Sequence, residues 1–145
     1  YHSINTGNAQ LVYVASRRRS PLEHSRISPA VSEMFEKGII EPSASNWVSE
    51  PHLAKKDDGT FRFCINFRAL NKVPIHDKYP LPRIEDLLDQ PGQSRYFTSL
   101  YLASGYWQIP LSKEDAHKTT FRTQKGFFQF KRMPFGLFDA GSTFQ

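Results

Sequence analysis

The sequence is nearly without cysteine: Cys64 stands alone among 145 residues. A single thiol excludes an internal disulfide and any zinc site built on several cysteines. Its place in an alternating, strand-like run reads as a buried structural thiol in a reducing compartment. Long apolar runs are also missing. Nothing approaches the ~20 consecutive residues a membrane-spanning helix needs, and in "QLVYVASRRR" the positive charges follow the apolar stretch, the reverse of a secretory signal. The expectation is an intracellular chain, cytoplasmic or nuclear, not secreted and with no membrane partner. Two common nucleotide signatures are absent as well, the phosphate-binding P-loop and the dinucleotide-binding glycine fingerprint. The five histidines are scattered without metal-ligand spacing, and His76-Asp77 reads as a hydrogen-bonded turn. Glu85-Asp86 and Glu114-Asp115 lie near predicted helix starts, where acids suit the positive end of the helix dipole and need no catalytic role.

What is present fits one modest domain. Hydrophobic residues make up 39% and aromatics 14% of the chain, too rich for disorder. The formal charge of +5 and a pI near 9.4 suit a polyanionic partner, most simply nucleic acid. Arg17-Arg18-Arg19 reads as a solvated cluster, a phosphate contact or an import signal. Tyr1 in place of Met, and "AGSTFQ" without a cap or polar tail, read as a segment of a longer polypeptide.

Along the chain, Tyr1 to Leu22 is aperiodic and reads as extended or loop. Ser28-Pro29 reads as a helix start, Ser as N-cap and Pro at the first helical position, with Val31, Met34 and Phe35 at helical spacing and Gly38 as the C-terminal cap. "IIEPSASNWVSEP" reads as a connection. "PHLAKKDDGTFRFCINFRALN" is a hairpin turning at Asp58-Gly59. "VPIHDKYPLPR" is a loop, after which Pro82 opens a short helix with Ile84, Leu87 and Leu88 on one face. "RYFTSL" reads as a strand, "KTTFRTQKGFFQFKRM" as a second hairpin near Lys125-Gly126, "PFGL" as a turn, and Asp139 to Gln145 as the start of a helix. Helices mixed with mostly antiparallel hairpins give an α+β class.

Two local features invite a ligand. With the first turn centred on Asp58-Gly59, Lys55 faces Arg62 directly. Opposed like charges are unfavourable, and an anion lying across both relieves that; alternatively, both side chains splay into water. The second feature is "TSLYLASGYWQIPL". Its small residues Ala103-Ser104-Gly105 beside Tyr106-Trp107 leave room for close approach to the backbone. Elsewhere, aromatics interleave with bases in "FRFCINFR" and "TTFRTQKGFFQFKR". That pattern serves stacking on single strands, and equally it is what strands with one buried face produce.

Three stretches, taken in order, resemble one family: "EMFEKGIIEPSASNWVSEPHLAKKDDGTFRFCINFRALN", "YPLPRIEDLL", and "YFTSLYLASGYWQIPL…KTTFRT…GFFQFKRMPFGL…TFQ". They look like the reverse transcriptase of gypsy-type LTR retrotransposons and their retroviral relatives, over nearly the whole chain. The resemblance implies part of a right-hand polymerase: an N-terminal extended segment at 1–22, a fingers-like region at 23–92 and an incomplete palm with antiparallel strands at 93–145. In that family a primer 3′-hydroxyl attacks a nucleotide's α-phosphate while two magnesium ions, held by palm aspartates, clamp the attacking and leaving oxygens. The resemblance assigns Lys55 and Arg62 to the incoming triphosphate, the backbone of Ser104 and Gly105 to the amides beside it, and Tyr106 to the floor under the sugar. Arg68 corresponds to a template contact, and Phe135 and Gly136 to a turn near the nascent base pair. The implied partners are an RNA or DNA primer–template, weakly a dNTP, and the remainder of a Pol polyprotein.

Several positions depart from the family pattern. Tyr101 stands where the palm strand usually carries a metal-binding aspartate, and a phenol with pKa ~10 is not ionised at neutral pH. The family's Tyr-x-Asp-Asp hairpin would lie beyond Gln145. Asn66 replaces a common aspartate, and Asp139-Ala140-Gly141 the usual Asn-Ala-Pro. The expectation is therefore no catalytic or metal-ligating residue, no cofactor bound by this chain, and no polymerase activity. Three readings follow: a reverse transcriptase fragment that retains nucleotide and template contacts, a non-catalytic nucleic-acid-binding module derived from a retroelement, or an active polymerase completed by downstream sequence, which demands an acid restored at position 101 or a ligand from elsewhere.

Overall fold

The computed structural model describes residues 1–75, 85, 92 and 95–144. The helix expected from Pro82 falls outside them. An extended N-terminal arm leads into helix α1, Pro21–Glu36. Strands β1 (Ile40–Pro42), β2 (Glu50–Lys55) and β3 (Phe61–Asn66) follow, then β4 (Phe121–Thr123), β5 (Gly126–Phe130) and a short helix α2, Ala140–Phe144. One antiparallel sheet has the order β1-β5-β4, and the other is the β2-β3 hairpin. The α+β class holds, and both expected hairpins form.

Helix α1 starts eight residues earlier than Ser28-Pro29 suggested. Ser20-Pro21-Leu22-Glu23 carries the same signature in stronger form. The Ser20 hydroxyl accepts from the Glu23 amide at 3.2 Å, and the Glu23 carboxylate accepts from the Ser20 amide at 2.9 Å, a reciprocal capping box. Pro29 sits inside the helix, where a proline removes one backbone hydrogen bond. Ile27, Val31 and Met34 are buried on one face, and this burial carries the helix through. Gly38, at φ +65°, closes it as expected: Ile39 donates to the Met34 carbonyl and Gly38 to that of Phe35, the paired bonds of a Schellman motif.

"IIEPSASNWVSEP" is not wholly a connection, because β1 pairs Ile40 with Phe130 and Pro42 with Phe128. "RYFTSL" forms no strand. Residues 96–102 pair with nothing among the described residues, and Tyr96, Leu100 and Tyr101 are more than four-fifths exposed. Alternation alone does not make a strand where no partner satisfies its backbone groups.

The core lies between α1 and the two sheets. Phe67, Phe121, Phe130, Met133, Ile40 and Leu70 are almost fully buried. Phenylalanines of the two hairpins interlock, with ring centroids 5.4 Å apart for Phe121–Phe130 and 6.1 Å for Phe63–Phe121. Most of the aromatic–basic interleaving is therefore core packing.

Two ionic clusters fasten the arm. Arg19, from the basic triplet, is not solvated: its side chain is 6% exposed and pairs with Glu50. Glu50 also accepts from Arg122 at 2.9 Å, and Arg122 donates to the Val14 carbonyl and the Tyr13 hydroxyl. Glu50 thus joins the arm, β2 and β4. Asp115 does stand at a helix start, before the 3-10 turn Ala116–Thr119, and its carboxylate accepts from the Ile4 amide at 2.9 Å and from Lys118, which also donates to the Ile4 carbonyl.

Candidate functional site

The first hairpin turns one residue differently from expectation. Lys56 donates to the Thr60 carbonyl and Gly59 to the Lys56 carbonyl, with Gly59 at φ +80°. This is a three-residue loop with a glycine bulge. Asp58 stabilises it by accepting from the Thr60 amide at 2.8 Å and the Thr60 hydroxyl. Those bonds also hold the Asp58 carboxyl below its ordinary pKa. The ladder then runs Lys55↔Phe61 and Ala54↔Arg62, so Lys55 and Arg62 do not face each other. A shift of one residue puts them on opposite faces. They meet instead around the tip, where Lys55, Lys56 and Arg62 line a hollow of about 470 Å³ together with Asp57 and Asp58. Lys56 was not singled out from the sequence, because its relevance depends on the bulge.

Arg62 also lines a second hollow, of about 440 Å³, which brings together Cys64 of β3, Tyr101, Ser104 and Trp107 of the small-residue turn, and Phe135. Three residues expected to touch nucleotide or template, Arg62, Ser104 and Phe135, thereby share one surface. Cys64 lies two places from Arg62, on the same face of β3, so strand alternation alone places it there. It is half-buried rather than buried, and desolvation pushes its thiol pKa up against the pull of Arg62.

The turn itself has unusual backbone. Ser104, at φ +51°, is the one non-glycine residue with positive φ among the described residues, a conformation residues with a side chain adopt rarely. It leads into a 3-10 turn, Gly105–Gln108, in which the Trp107 amide donates to the Ser104 carbonyl at 2.9 Å. Gly105 leaves space for close approach, and the group that takes it is the chain's own Phe144. A Cβ at Gly105 would lie 2.8 Å from the Phe144 ring. Tyr106 is held between two rings, with centroids 5.1 Å from Phe135 and 5.3 Å from Phe144.

Arg68 is exposed just past β3, its amide donating to the Asn66 side chain at 3.2 Å. Asn66 serves that turn as an acceptor, a role an aspartate would also fill. Gly136, at φ +91°, is tied to the same region because Asn71 donates to its carbonyl at 2.8 Å and accepts from the Phe138 amide. Asn71 thus ties the Gly136 turn to the segment just after β3. A Cβ at Gly141 would make ordinary van der Waals contact with the Tyr106 hydroxyl, at 3.9 Å.

The donor set does not fit a magnesium ion, which takes hard oxygen ligands and commonly one or two carboxylates. Tyr101 is 96% exposed. The described residues lining the second hollow include no aspartate or glutamate. Among the described residues, no three His, Cys, Asp or Glu side chains gather as a metal site. The charge this surface offers is positive and suited to phosphate.

The model of the family described as "Reverse transcriptase (RNA-dependent DNA polymerase)" matches residues 53–145. The chain belongs to the reverse transcriptase family. An RNA-directed DNA polymerase homolog of Oenothera berteroana is 52% identical over 85 residues, 59% of this chain and 60% of that protein. The retrovirus-related Pol polyprotein from transposon gypsy of Drosophila melanogaster is 40% identical over 125 residues, 82% of this chain and 12% of the polyprotein. This reverse transcriptase chain therefore spans a minor part of such a polyprotein. Its fold matches the protease–reverse transcriptase of prototype foamy virus with a TM-score of 0.84 at 23% identity, over 99% of this chain and 19% of that one. A foamy viral protease–reverse transcriptase solved with an RNA/DNA hybrid matches at 0.78 and 18% identity, again over 99% and 19%.

Proposed function

We propose that this chain binds the phosphates of a nucleic-acid strand and of a nucleoside triphosphate, and does not itself catalyse nucleotide addition. Arg62, lining both hollows, carries the reading: it brings a guanidinium to the hollow of about 440 Å³ that Ser104 and Phe135 also line. Lys55 and Lys56 add charge at the hairpin tip, and the Ser104 backbone lies beside the phosphates, while at Gly105 the Phe144 ring takes the close-approach space. Tyr106 forms the sugar floor, while Arg68, Phe135 and Gly136 border the template. The related foamy viral enzyme solved with an RNA/DNA hybrid supports the choice of polyanion. The exposed stretch 96–102 is the surface we assign to contact with further palm segments of a Pol polyprotein.

Catalysis is a separate matter. Family chemistry needs carboxylates to place two metals, and position 101 offers a neutral phenol. The sequence holds one Asp-Asp pair, Asp57-Asp58, at the hairpin tip. Two assays on the purified chain separate the parts of this reading. A primer–template duplex should be retarded at low ionic strength and released steeply as salt rises. Primer extension with Mg²⁺ or Mn²⁺ should give no product. Template-dependent extension would overturn the inactive assignment, and absence of salt-sensitive retardation would overturn the binding one.

A further inference from the structure

A third hollow, of about 460 Å³, shares no lining residue with the two described above. Lys113, Lys131 and Arg132 line it together with Leu111, Gly38 and Glu41. The cations come from two separate segments brought together by backbone pairing. Leu111 donates to the Lys131 carbonyl at 2.9 Å, and Lys131 donates to the Ile39 carbonyl at 2.8 Å. Pro110 bridges to Arg132. The Cα positions of Lys131 and Arg132 are therefore set by the sheet, whatever their side chains bind.

The charge here is not balanced. Glu41 supplies one carboxylate, which accepts from the Gln129 amide group at 2.9 Å, against the three cations that line the hollow. Among the described residues, Arg132 donates to the Gln108 carbonyl alone, at 3.4 Å. The side chains of Lys113 and Lys131 form no salt bridge among the described residues. Three like charges around one concavity repel each other, and a concave wall of low dielectric focuses their field. A solvated cationic rim would satisfy the lysines equally well on a convex surface; the concavity and the sheet-fixed spacing favour a ligand.

We infer that this hollow is a second phosphate site, taking the phosphodiester backbone of a nucleic-acid strand apart from the Arg62 surface. The inference rests on the reading that nucleic acid is the partner. The chain then grips a bound strand at two separated points rather than at the hairpin alone.

The test uses the full 145-residue chain, a single-stranded oligothymidylate and, separately, tripolyphosphate. Lys113→Glu/Lys131→Glu should weaken oligothymidylate binding at least tenfold at low salt. The log–log salt slope should become shallower by roughly 1.4, the loss of two contacts at ~0.7 each. Arg18→Glu/Lys37→Glu, with the same charge change elsewhere, should weaken binding less and leave the slope near that of the native chain. On the native chain, bound oligothymidylate should protect Lys113 and Lys131 from amine acetylation while leaving Lys37 reactive, a readout that needs no variant to fold. Equal losses in both double variants, or absence of protection, overturn the inference even where the strand binds. Protection by tripolyphosphate but not by oligothymidylate overturns the choice of a strand backbone. Absence of any strand binding by the native chain sinks the broader nucleic-acid reading instead.

Discussion

At the scale of single residues, the turn around Ser104 concentrates the unusual geometry. The sequence showed small residues before two aromatics but not what fills the gap, because Phe144 lies thirty-nine positions after Gly105 and only tertiary packing joins them. Gly105→Ala forces its new methyl against that ring and should cost about 1–3 kcal/mol, the usual range for overpacking. Adding Phe144→Ala should recover most of the loss, and a double-mutant cycle from urea unfolding should show coupling above ~0.5 kcal/mol. His2 supplies a pH test. It is buried, and its Nδ1 lies 2.8 Å from the Thr143 hydroxyl. Burial lowers its pKa from the ordinary 6.5, outweighing the upward pull of Asp139 and Asp115, and the N-terminal amine pushes the same way as burial. The folded chain therefore rejects a proton that the unfolded chain accepts. Stability contributed by neutral His2 is present above about 6.5 and falls as pH drops below it. His2→Gln should flatten the stability profile between pH 7 and about 5.5, as read from urea midpoints.

At the scale of elements, what was legible in the sequence was local. Both hairpins, the Gly38 cap and the "PFGL" turn are written in adjacent residues, and each formed. The failures came from competition or from missing partners. Ser28-Pro29 lost to the better-capped Ser20-Pro21-Leu22-Glu23, although both obey the same rule. The glycine bulge at Gly59 moved the ladder by one residue, a choice that turn length decides and composition does not. β1 was invisible because three residues carry no period, and they became a strand only through β5. Glu50 was likewise silent in the sequence, yet it receives two arginines from distant segments. Glu50→Ala leaves the buried Arg19 guanidinium and the partly exposed Arg122 guanidinium without their carboxylate. It should cost about 3–5 kcal/mol, the range for breaking a buried ion pair, measurable as a fall in the urea midpoint. Near-native stability would show that the network contributes little.

At the scale of the whole molecule, the phosphate reading rests on the cation that Arg62 brings to the second hollow. The family was legible because several motifs keep order and spacing, and the fold follows the foamy viral enzyme closely. The shared hollow of Arg62, Ser104 and Phe135 was not legible from composition, since it joins three distant segments. Its charge is positive, and position 101 carries a phenol, so triphosphate binding should not depend on a divalent ion. The direct measurement uses Trp107, which lines that hollow, as reporter in a Trp47→Phe background. A dNTP titration followed by Trp107 fluorescence should give similar affinity in EDTA and in Mg²⁺, and Arg62→Ala should weaken both about tenfold, the effect of losing ~1.4 kcal/mol of charge-assisted contact. Binding seen only with Mg²⁺, or unchanged by Arg62→Ala, would contradict the account.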